Sequence, residues 1–296
     1  MSEPVTAVQW LDITRRNARA VQSLIGWIFW DPGAVSRFEE LGLNGPLGYI
    51  ASRSAPFAGA GPAAVTAAWG SISPVGIELV FQHLASPQAF LPFWQARNAA
   101  IVDGLAAHAP PAAQGLREFA SVLWSVVEQL PTVGRPFFAS HLNFEESTSA
   151  ILSGWHAVNC LREWRGDTHW AVVTGQGLSA PEASVLHNGW LGYEGDWLSK
   201  SRGNSEESID GAWRALERKR LANNRSLLPE GYSLRQWIED ETDRITTTPW
   251  ELLGEADSRR FAELFEPPCE LLLARVDLTA GVNFQPASRV RPPWRP

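Results

Sequence analysis

Three basic or titratable side chains recur on one face of a long helical segment in the second half of the chain. Arg162, Arg165 and His169 are separated by three and four residues, so a helix places them in one row. His156 flanks this row, and Asp167 is predicted either to hold the imidazole of His169 or to pair with an arginine. Guanidinium groups bind carboxylates and phosphates, and imidazole titrates near neutral pH. The row therefore predicts an anion site in which His169 acts as an acid, a base or a donor.

Tryptophans surround the row and leave two interpretations open. Cations packed among indoles are costly to bury without a negative partner. That partner is either an internal network, through Arg53 and acids such as Glu163, or a ligand in an enclosed pocket. The predicted ligand-binding residues are Arg53, Trp155, His156, Arg162, Arg165 and Trp170, and the predicted catalytic residues are His169 and Asp167.

Signatures of metal, cofactor and covalent chemistry are missing from the sequence. The six histidines include no i, i+4 pair, and Cys160 and Cys269 are far apart, so no metal site is predicted. No Gly-x-Ser-x-Gly motif and no Walker loop occurs, and Gly175-Gln176-Gly177 is typical of a helix end. We predict no cofactor, and the sequence leaves open whether the protein is an enzyme.

The elements that position these residues are predicted to be helices throughout the first half. Apolar residues recur at helical spacing, without the period-two alternation of strands, and Pro or Gly separates the segments. The main predicted helices are Arg15–Trp30, Gly33–Leu41, Pro62–Trp69, Val75–Leu84, Gln88–Ala107 and Gln114–Leu130.

The second half has the element order of a winged helix-turn-helix. Ser179 and Glu182 form a capping-box pattern that opens a short helix, and Asn223-Asn224 is turn chemistry in the place of a β-wing. The other predicted helices are Ser147–Thr174, Asn204–Arg220, Gly231–Thr246 and Trp250–Phe265; Pro267-Pro268 is predicted to close the last one, and a short strand is predicted to begin at Val276.

The predicted fold is mainly α. A helical N-terminal layer packs on a winged-helix-like, MarR-type C-terminal half with a short β-wing. The predicted domain limits are residues 1–144 for the helical layer and residues 145–275 for the winged-helix-like half. Residues 276–296, rich in Pro and Arg, are predicted to form an extended tail.

The segment from Trp155 to His169 has the pattern W-H-A-x-x-x-L-R-E-x-R-G-D-x-H. On this pattern the chain resembles a mainly actinobacterial helix-turn-helix family, over roughly residues 29–267. Trp164 stands where that family has His, and Thr168 stands where it has Gly. The resemblance implies a fold and carries no activity.

Shorter segments support the same resemblance. Glu182 to His187 and Ser201-Arg202-Gly203 are similar to segments of the family. The stretch from Leu227 to Leu234 resembles the return from the wing in MarR-type regulators, with Pro229 where that pattern has Thr. These matches favour the winged-helix interpretation of the second half.

Charge argues against DNA as the main partner. The chain has 25 Lys and Arg against 32 Asp and Glu, a formal net charge of −7, and a negative protein repels phosphates unless its cations cluster. The first part of the predicted recognition helix, which would read bases, carries Glu206, Glu207 and Asp210. DNA binding is therefore possible but disfavoured.

The sequence also predicts a cytoplasmic protein with no membrane partner. No signal-peptide pattern precedes Asp12, and the longest apolar stretches, such as Leu24–Trp30, are too short to span a bilayer. Two cysteines without a disulfide framework fit a reducing compartment. The oligomeric state is left open.

From these observations we predict a protein that holds a small anionic molecule in a pocket, as a binder or an enzyme. The alternative is a ligand-responsive, DNA-binding transcription regulator. A third possibility is a structural partner that acts through exposed tryptophans and the Pro/Arg tail.

Overall fold

Helices form almost everywhere that apolar residues recur at helical spacing. The computed structural model describes residues 5–142, 144 and 149–290, and within these residues the one sheet is a two-stranded hairpin. The prediction of a mainly α fold is therefore confirmed.

Eight α-helices lie in residues 5–142. They are α1 (Ala7–Gly26), α2 (Pro32–Glu40), α3 (Gly45–Ser54), α4 (Pro62–Trp69), α5 (Pro74–His83), α6 (Leu91–His108), α7 (Pro110–Val127) and α8 (Pro136–His141). Proline stands in the first turn of seven of them, where its missing N–H would be unpaired in any case.

Seven α-helices and the hairpin lie in residues 149–290. They are α9 (Ala150–Gly175), α10 (Ala180–Leu191), α11 (Trp197–Ser201), α12 (Glu206–Arg218), β1 (Ala222–Asn223), β2 (Ser226–Leu227), α13 (Pro229–Ile245), α14 (Thr248–Leu253) and α15 (Glu255–Thr279). The capping box predicted for α10 is present, because the Ser179 side chain accepts from the N–H of Glu182 and the Glu182 side chain accepts from that of Ser179.

Two hydrophobic cores meet along α9, the longest helix described. The first part of α9, with Trp155 and Trp164, belongs to the larger core, which α1, α6, α7 and α15 also build. The last part, with Val172 and Val173, belongs to a smaller core with α10, α12 and α13. The larger core includes residues on both sides of the boundary predicted between residues 144 and 145. The domain limits themselves stay predictions.

The smaller core carries the element order predicted for the second half. Helices α10, α11 and α12 are followed by the hairpin and by α13. Asn224 and Arg225 at the hairpin tip have φ values of 49° and 57°, the left-handed conformation that a two-residue hairpin turn requires. A tight β-turn therefore stands where the sequence predicted a wing.

Two predictions for the C-terminal region are wrong. Pro267 and Pro268 lie inside α15 and do not end it, and Val276 is helical, so no strand begins there. A proline inside a helix costs about 3 kcal/mol. Packing offsets this cost, because the buried face of α15, including Pro268 and Cys269, lies against α1 and α7.

None of the helices in the described residues is both long and apolar enough to cross a bilayer. The cytoplasmic location stays a prediction.

Helices α7 and α9 approach each other closely at Gly154, and this contact gives the first testable prediction. A Cβ added to Gly154 of α9 would clash with the backbone carbonyl of Leu116 in α7, which cannot move aside alone. We expect Gly154→Ala to lower the free energy of unfolding by about 1–3 kcal/mol through overpacking. Urea denaturation measures the change.

Gly211 of α12 provides the matched control, because a Cβ there meets nothing within 4 Å. Gly211→Ala is expected to raise the free energy of unfolding by about 0.5–1 kcal/mol, the helix-propensity difference. Equal effects of the two substitutions would contradict the packing of α7 on α9.

Candidate functional site

A cavity of about 1060 Å³ lies where the two cores meet. Its walls come from α1, α3, α9, α10, α13 and residues 284–290. The predicted row of Arg162, Arg165 and His169 lies on this wall, as do Arg53 and Trp170. Five of the eight predicted site residues therefore surround one space.

A buried carboxylate holds two of the predicted arginines. Glu163 accepts hydrogen bonds from Arg53, from Nε to Oε1 at 3.1 Å and from Nη2 to Oε2 at 2.8 Å. Arg162 donates to Oε1 at 2.6 Å. Burial alone would raise the pKa of Glu163, but the charges of Arg53 and Arg162 outweigh burial and hold this pKa at about 2. The predicted link from α9 to the first half through Arg53 is thus an ion pair in the structure.

Arg165 is neutralised from the other side of the cavity, by α13. Its Nη2 donates to Glu239 at 2.9 Å and to Asp243 at 2.7 Å. Glu239 also pairs with Arg235 at 2.6 Å, and Asp243 pairs with Arg15 at 3.3 Å. The protein's own carboxylates therefore match Arg165, as the network interpretation of the sequence expected.

The wall nevertheless carries more cations than its own carboxylates can match. Among the described residues, ten basic and six acidic side chains line the cavity. Three of these cations pair with carboxylates just outside the lining; the pairs are Arg19–Glu270, Lys200–Glu206 and Arg289–Asp277. Arg202, which follows α11, is the lining cation with no carboxylate within 4.0 Å in the described residues. Burial lowers its pKa to about 10, so it remains charged at neutral pH.

His169 is a neutral hydrogen-bond acceptor toward the cavity. Thr242 gives its hydroxyl proton to the carbonyl of Ile238 at 2.7 Å, so its oxygen accepts from His169 Nδ1 at 3.2 Å. A neutral imidazole with its proton on Nδ1 has a free lone pair on Nε2. Burial, together with Arg235 and other arginines, lowers the pKa of His169 to about 3.

A second imidazole, His187 of α10, lines the same wall. Burial and the charges of Arg235 and Arg202 hold its pKa well below the usual value. Both imidazoles are therefore neutral at pH 7, and the positive charge at this end of the cavity comes from arginine.

The predicted pairing of Asp167 with His169 is wrong. Residues two apart on a helix point to nearly opposite sides, and Asp167 accepts the backbone N–H of Phe138 at 2.9 Å, away from the cavity. Burial raises the pKa of Asp167 to about 7. The predicted catalytic roles of Asp167 and His169 stay predictions.

Trp155 and His156, predicted as ligand-binding residues, lie in the larger core and do not line this cavity. Trp155 donates its indole N–H to the carbonyl of Leu24 at 2.9 Å. His156 Nε2 contacts Asn98 Oδ1 at 3.3 Å. The reason is geometric, because these residues lie on α9 before the point where it leaves the larger core.

Sequence reasoning missed several wall residues that α9 does not carry. They are His187, Trp190, Arg202, Arg235 and Glu239. Spacing along one helix cannot find them, because α10, α13 and the loop after α11 contribute them. A signal did exist, since His187 and Arg202 lie in the shorter segments that support the family resemblance.

The helix that the sequence predicts as the recognition helix, α12, begins with acidic side chains. Glu206 and Glu207 in the first turn of α12 are exposed, and Asp210 follows one turn later. Arg225 at the hairpin tip points back to the protein, with ion pairs of 2.7 Å to Asp210 and 2.7 Å to Asp196. The charge of Arg225 is therefore already neutralised within the protein.

Metal chemistry finds no support at the site or elsewhere in the described ranges. No group of three or more His, Cys, Asp or Glu side chains there could hold a metal ion.

Comparison with known proteins gives one match. A family model described as a helix-turn-helix family matches residues 14–279, which include the smaller core and most of the larger core and of the cavity wall. No curated protein and no solved structure matches the chain.

The Glu163 ion pairs generate a second prediction. Glu163→Gln leaves Arg53 and Arg162 with no full negative charge, so we expect the free energy of unfolding to fall by about 3–5 kcal/mol. Glu206→Gln breaks the exposed pair with Lys200 and is expected to cost about 0–1 kcal/mol. Urea denaturation compares the two variants. A cost for Glu163→Gln no larger than that of the control would contradict the buried-pair account.

Asp167 generates a prediction about pH. Its carboxyl titrates near pH 4 in an unfolded chain and at about 7 in the fold, so the folded state binds more protons between these values. Stability contributed by this group therefore falls as pH rises from 4 to 7. Asn at this position keeps an acceptor for the Phe138 N–H and cannot ionise.

We expect Asp167→Asn to gain stability over the wild type between pH 4 and pH 7, on the order of 2–4 kcal/mol. Urea denaturation of both proteins at pH 4.5 and pH 7.5 measures it. A difference between the two proteins that is the same at both pH values would refute the raised pKa.

Proposed function

This chain belongs to the helix-turn-helix family, and we propose from that premise that its cavity binds a small organic anion. The observation that carries the proposal is Arg202, a cation on the cavity wall with no carboxylate within 4.0 Å in the described residues. An uncompensated cation in a protein interior is costly and is favoured where a ligand supplies the opposite charge. The other arginines that line the cavity form ion pairs with carboxylates of the protein itself.

The shape and composition of the wall support an organic ligand over a bare inorganic ion. The cavity, about 1060 Å³, is at the large end of small-molecule sites. Trp30, Trp69, Trp170, Trp190 and Trp197 contribute to its lining. Indoles bury large apolar area and stack on planar rings. A ligand with an acid group and an aromatic or apolar body suits this wall.

The finer winged-helix assignment also belongs to the proposal. The order α10, α12, hairpin, α13 around one core supports a MarR-type arrangement of the second half. Helices α10 and α13 contribute to both the helix-turn-helix core and the cavity wall. A ligand in the cavity would therefore contact the same helices that support α12.

A second candidate is the ligand-responsive, DNA-binding regulator, and membership in a helix-turn-helix family favours it. The acidic start of α12 and the neutralised Arg225 disfavour it. Fluorescence anisotropy with labelled DNA from upstream of the gene tests it at low salt. Sub-micromolar binding that weakens steeply with added salt would support the regulator, and weak binding would support the pocket protein.

The proposed function predicts that the protein carries or accepts an anion. Native mass spectrometry of the purified protein is expected to show an adduct that is lost on denaturation and is detected as a negative ion. In parallel, 8-anilinonaphthalene-1-sulfonate, an aromatic anion, is expected to bind with one-to-one stoichiometry. Absence of both an adduct and stoichiometric dye binding would overturn the proposal.

A further inference from the structure

We infer that Arg202 is the residue that selects an anion in this cavity, by binding a singly charged acid group while the indole wall holds an uncharged aromatic body. The inference rests on the proposed function and goes further, because it assigns ligand charge and ligand body to different residues. A carboxylate, a sulfonate or a phosphodiester carries the required charge.

The charges around Arg202 determine how many negative charges the ligand should carry. Arg165, Arg202 and Arg235 line the end of the cavity near His169, whose pKa the charges of all three lower, and Glu239 and Asp243 are the carboxylates that pair with Arg165 and Arg235. Three cations against two anions leave one positive charge. Asp243 also pairs with Arg15, so it has no spare capacity for Arg202. A monoanion neutralises this end, whereas a dianion would reverse its sign.

Arg202 differs from its neighbours in access as well as in charge. Arg165 Nε and Arg235 Nη1 are sealed in protein without a hydrogen-bond partner, so a ligand cannot reach them without rearrangement. None of the nitrogens of Arg202 is sealed in this way, and its side chain lines the cavity. Its guanidinium therefore reaches the open space with its donors available.

Backbone contacts hold Arg202 at the boundary between the two cores. Its carbonyl accepts the N–H of Ser73, at the start of α5, at 2.9 Å. The next residue, Gly203, has a φ of +79°, which turns the chain immediately after Arg202. A fixed backbone keeps the base of the Arg202 side chain at the cavity, where its guanidinium can form charge-assisted hydrogen bonds to an acid group.

The nearby imidazoles cannot replace Arg202 as the source of charge. Burial lowers the pKa of both His169 and His187, so both are neutral at pH 7. His169 presents an acceptor lone pair on Nε2, as its contact with Thr242 requires. An acceptor repels a bare carboxylate oxygen and attracts a hydroxyl or N–H of the ligand body. Selection of the anion therefore depends on Arg202.

This assignment makes an uncommon prediction about stability. Arg202 forms no ion pair with a described residue and is partly desolvated, so it stabilises the empty protein little or opposes its folding. A residue retained for binding is often one whose removal stabilises the fold. Arg202→Gln is therefore expected to melt at the same temperature as the wild type or higher.

Two dyes with the same aromatic body separate charge from shape. The probes are 8-anilinonaphthalene-1-sulfonate, which carries one negative charge, and N-phenyl-1-naphthylamine, which has the same rings without the sulfonate. Fluorescence titration measures the Kd of each dye for the wild type, for Arg202→Gln and for Arg244→Gln. Arg244 of α13 is the matched control, since it does not line the cavity, is exposed and is paired with Glu241 at 2.6 Å.

We expect Arg202→Gln to weaken binding of the sulfonate about tenfold or more, the loss typical of a charged hydrogen bond. Binding of the neutral dye is expected to stay within about twofold, and Arg244→Gln is expected to change the Kd of either dye by no more than about twofold. An equal loss of both dyes, an unchanged sulfonate affinity, or a lowered melting temperature for Arg202→Gln would overturn the role of Arg202 while leaving the cavity proposal standing. If neither dye binds the wild type, this assignment is overturned, and if the native adduct is absent as well, the proposed function is overturned with it.

Discussion

The buried carboxylate of Glu163 makes the ion pairs on which one side of the cavity wall depends. It lies on α9 and accepts from Arg53 of α3 and from Arg162 beside it. One buried anion facing two cations is stable in a low dielectric only when its hydrogen bonds are satisfied, and here both oxygens are bonded. The pair fixes α3 against α9 at the edge of the larger core. The wall of the cavity therefore has a rigid side.

The opposite side of the wall is built from α13 on the same principle, with Glu239 shared by Arg165 and Arg235. Because the other arginines of the wall are paired, Arg202 is the lining cation that no carboxylate of the described residues matches. Apolar indoles cover much of the remaining wall, so this charge stands in surroundings that hydrate it poorly. The cavity is positively charged although the whole chain carries a net charge of −7.

The same fold presents a very different surface on its outer side. Helix α12 begins with Glu206 and Glu207, and the hairpin directs Arg225 to Asp210 and Asp196. A helix-turn-helix provides a shape that fits a groove, while side-chain charge decides whether phosphates are attracted to it. In this chain the positive charge lies inside, at the cavity, and the negative charge lies outside, on the helix that would read bases.

Sequence by itself determined the mainly α fold, the helix bounds near Pro and Gly, the capping box at Ser179 and the row of Arg162, Arg165 and His169. These features depend on contacts within a few residues, which spacing encodes directly. Prediction from sequence failed at Pro267-Pro268, because packing of α15 on α1 and α7 outweighed a local helix breaker. It also failed at Asp167, because its partner Phe138 belongs to another helix. Only the tertiary structure decided which carboxylates neutralise which arginines, and that Arg202 has no carboxylate partner among the described residues, because those pairs join residues as many as 251 positions apart along the chain.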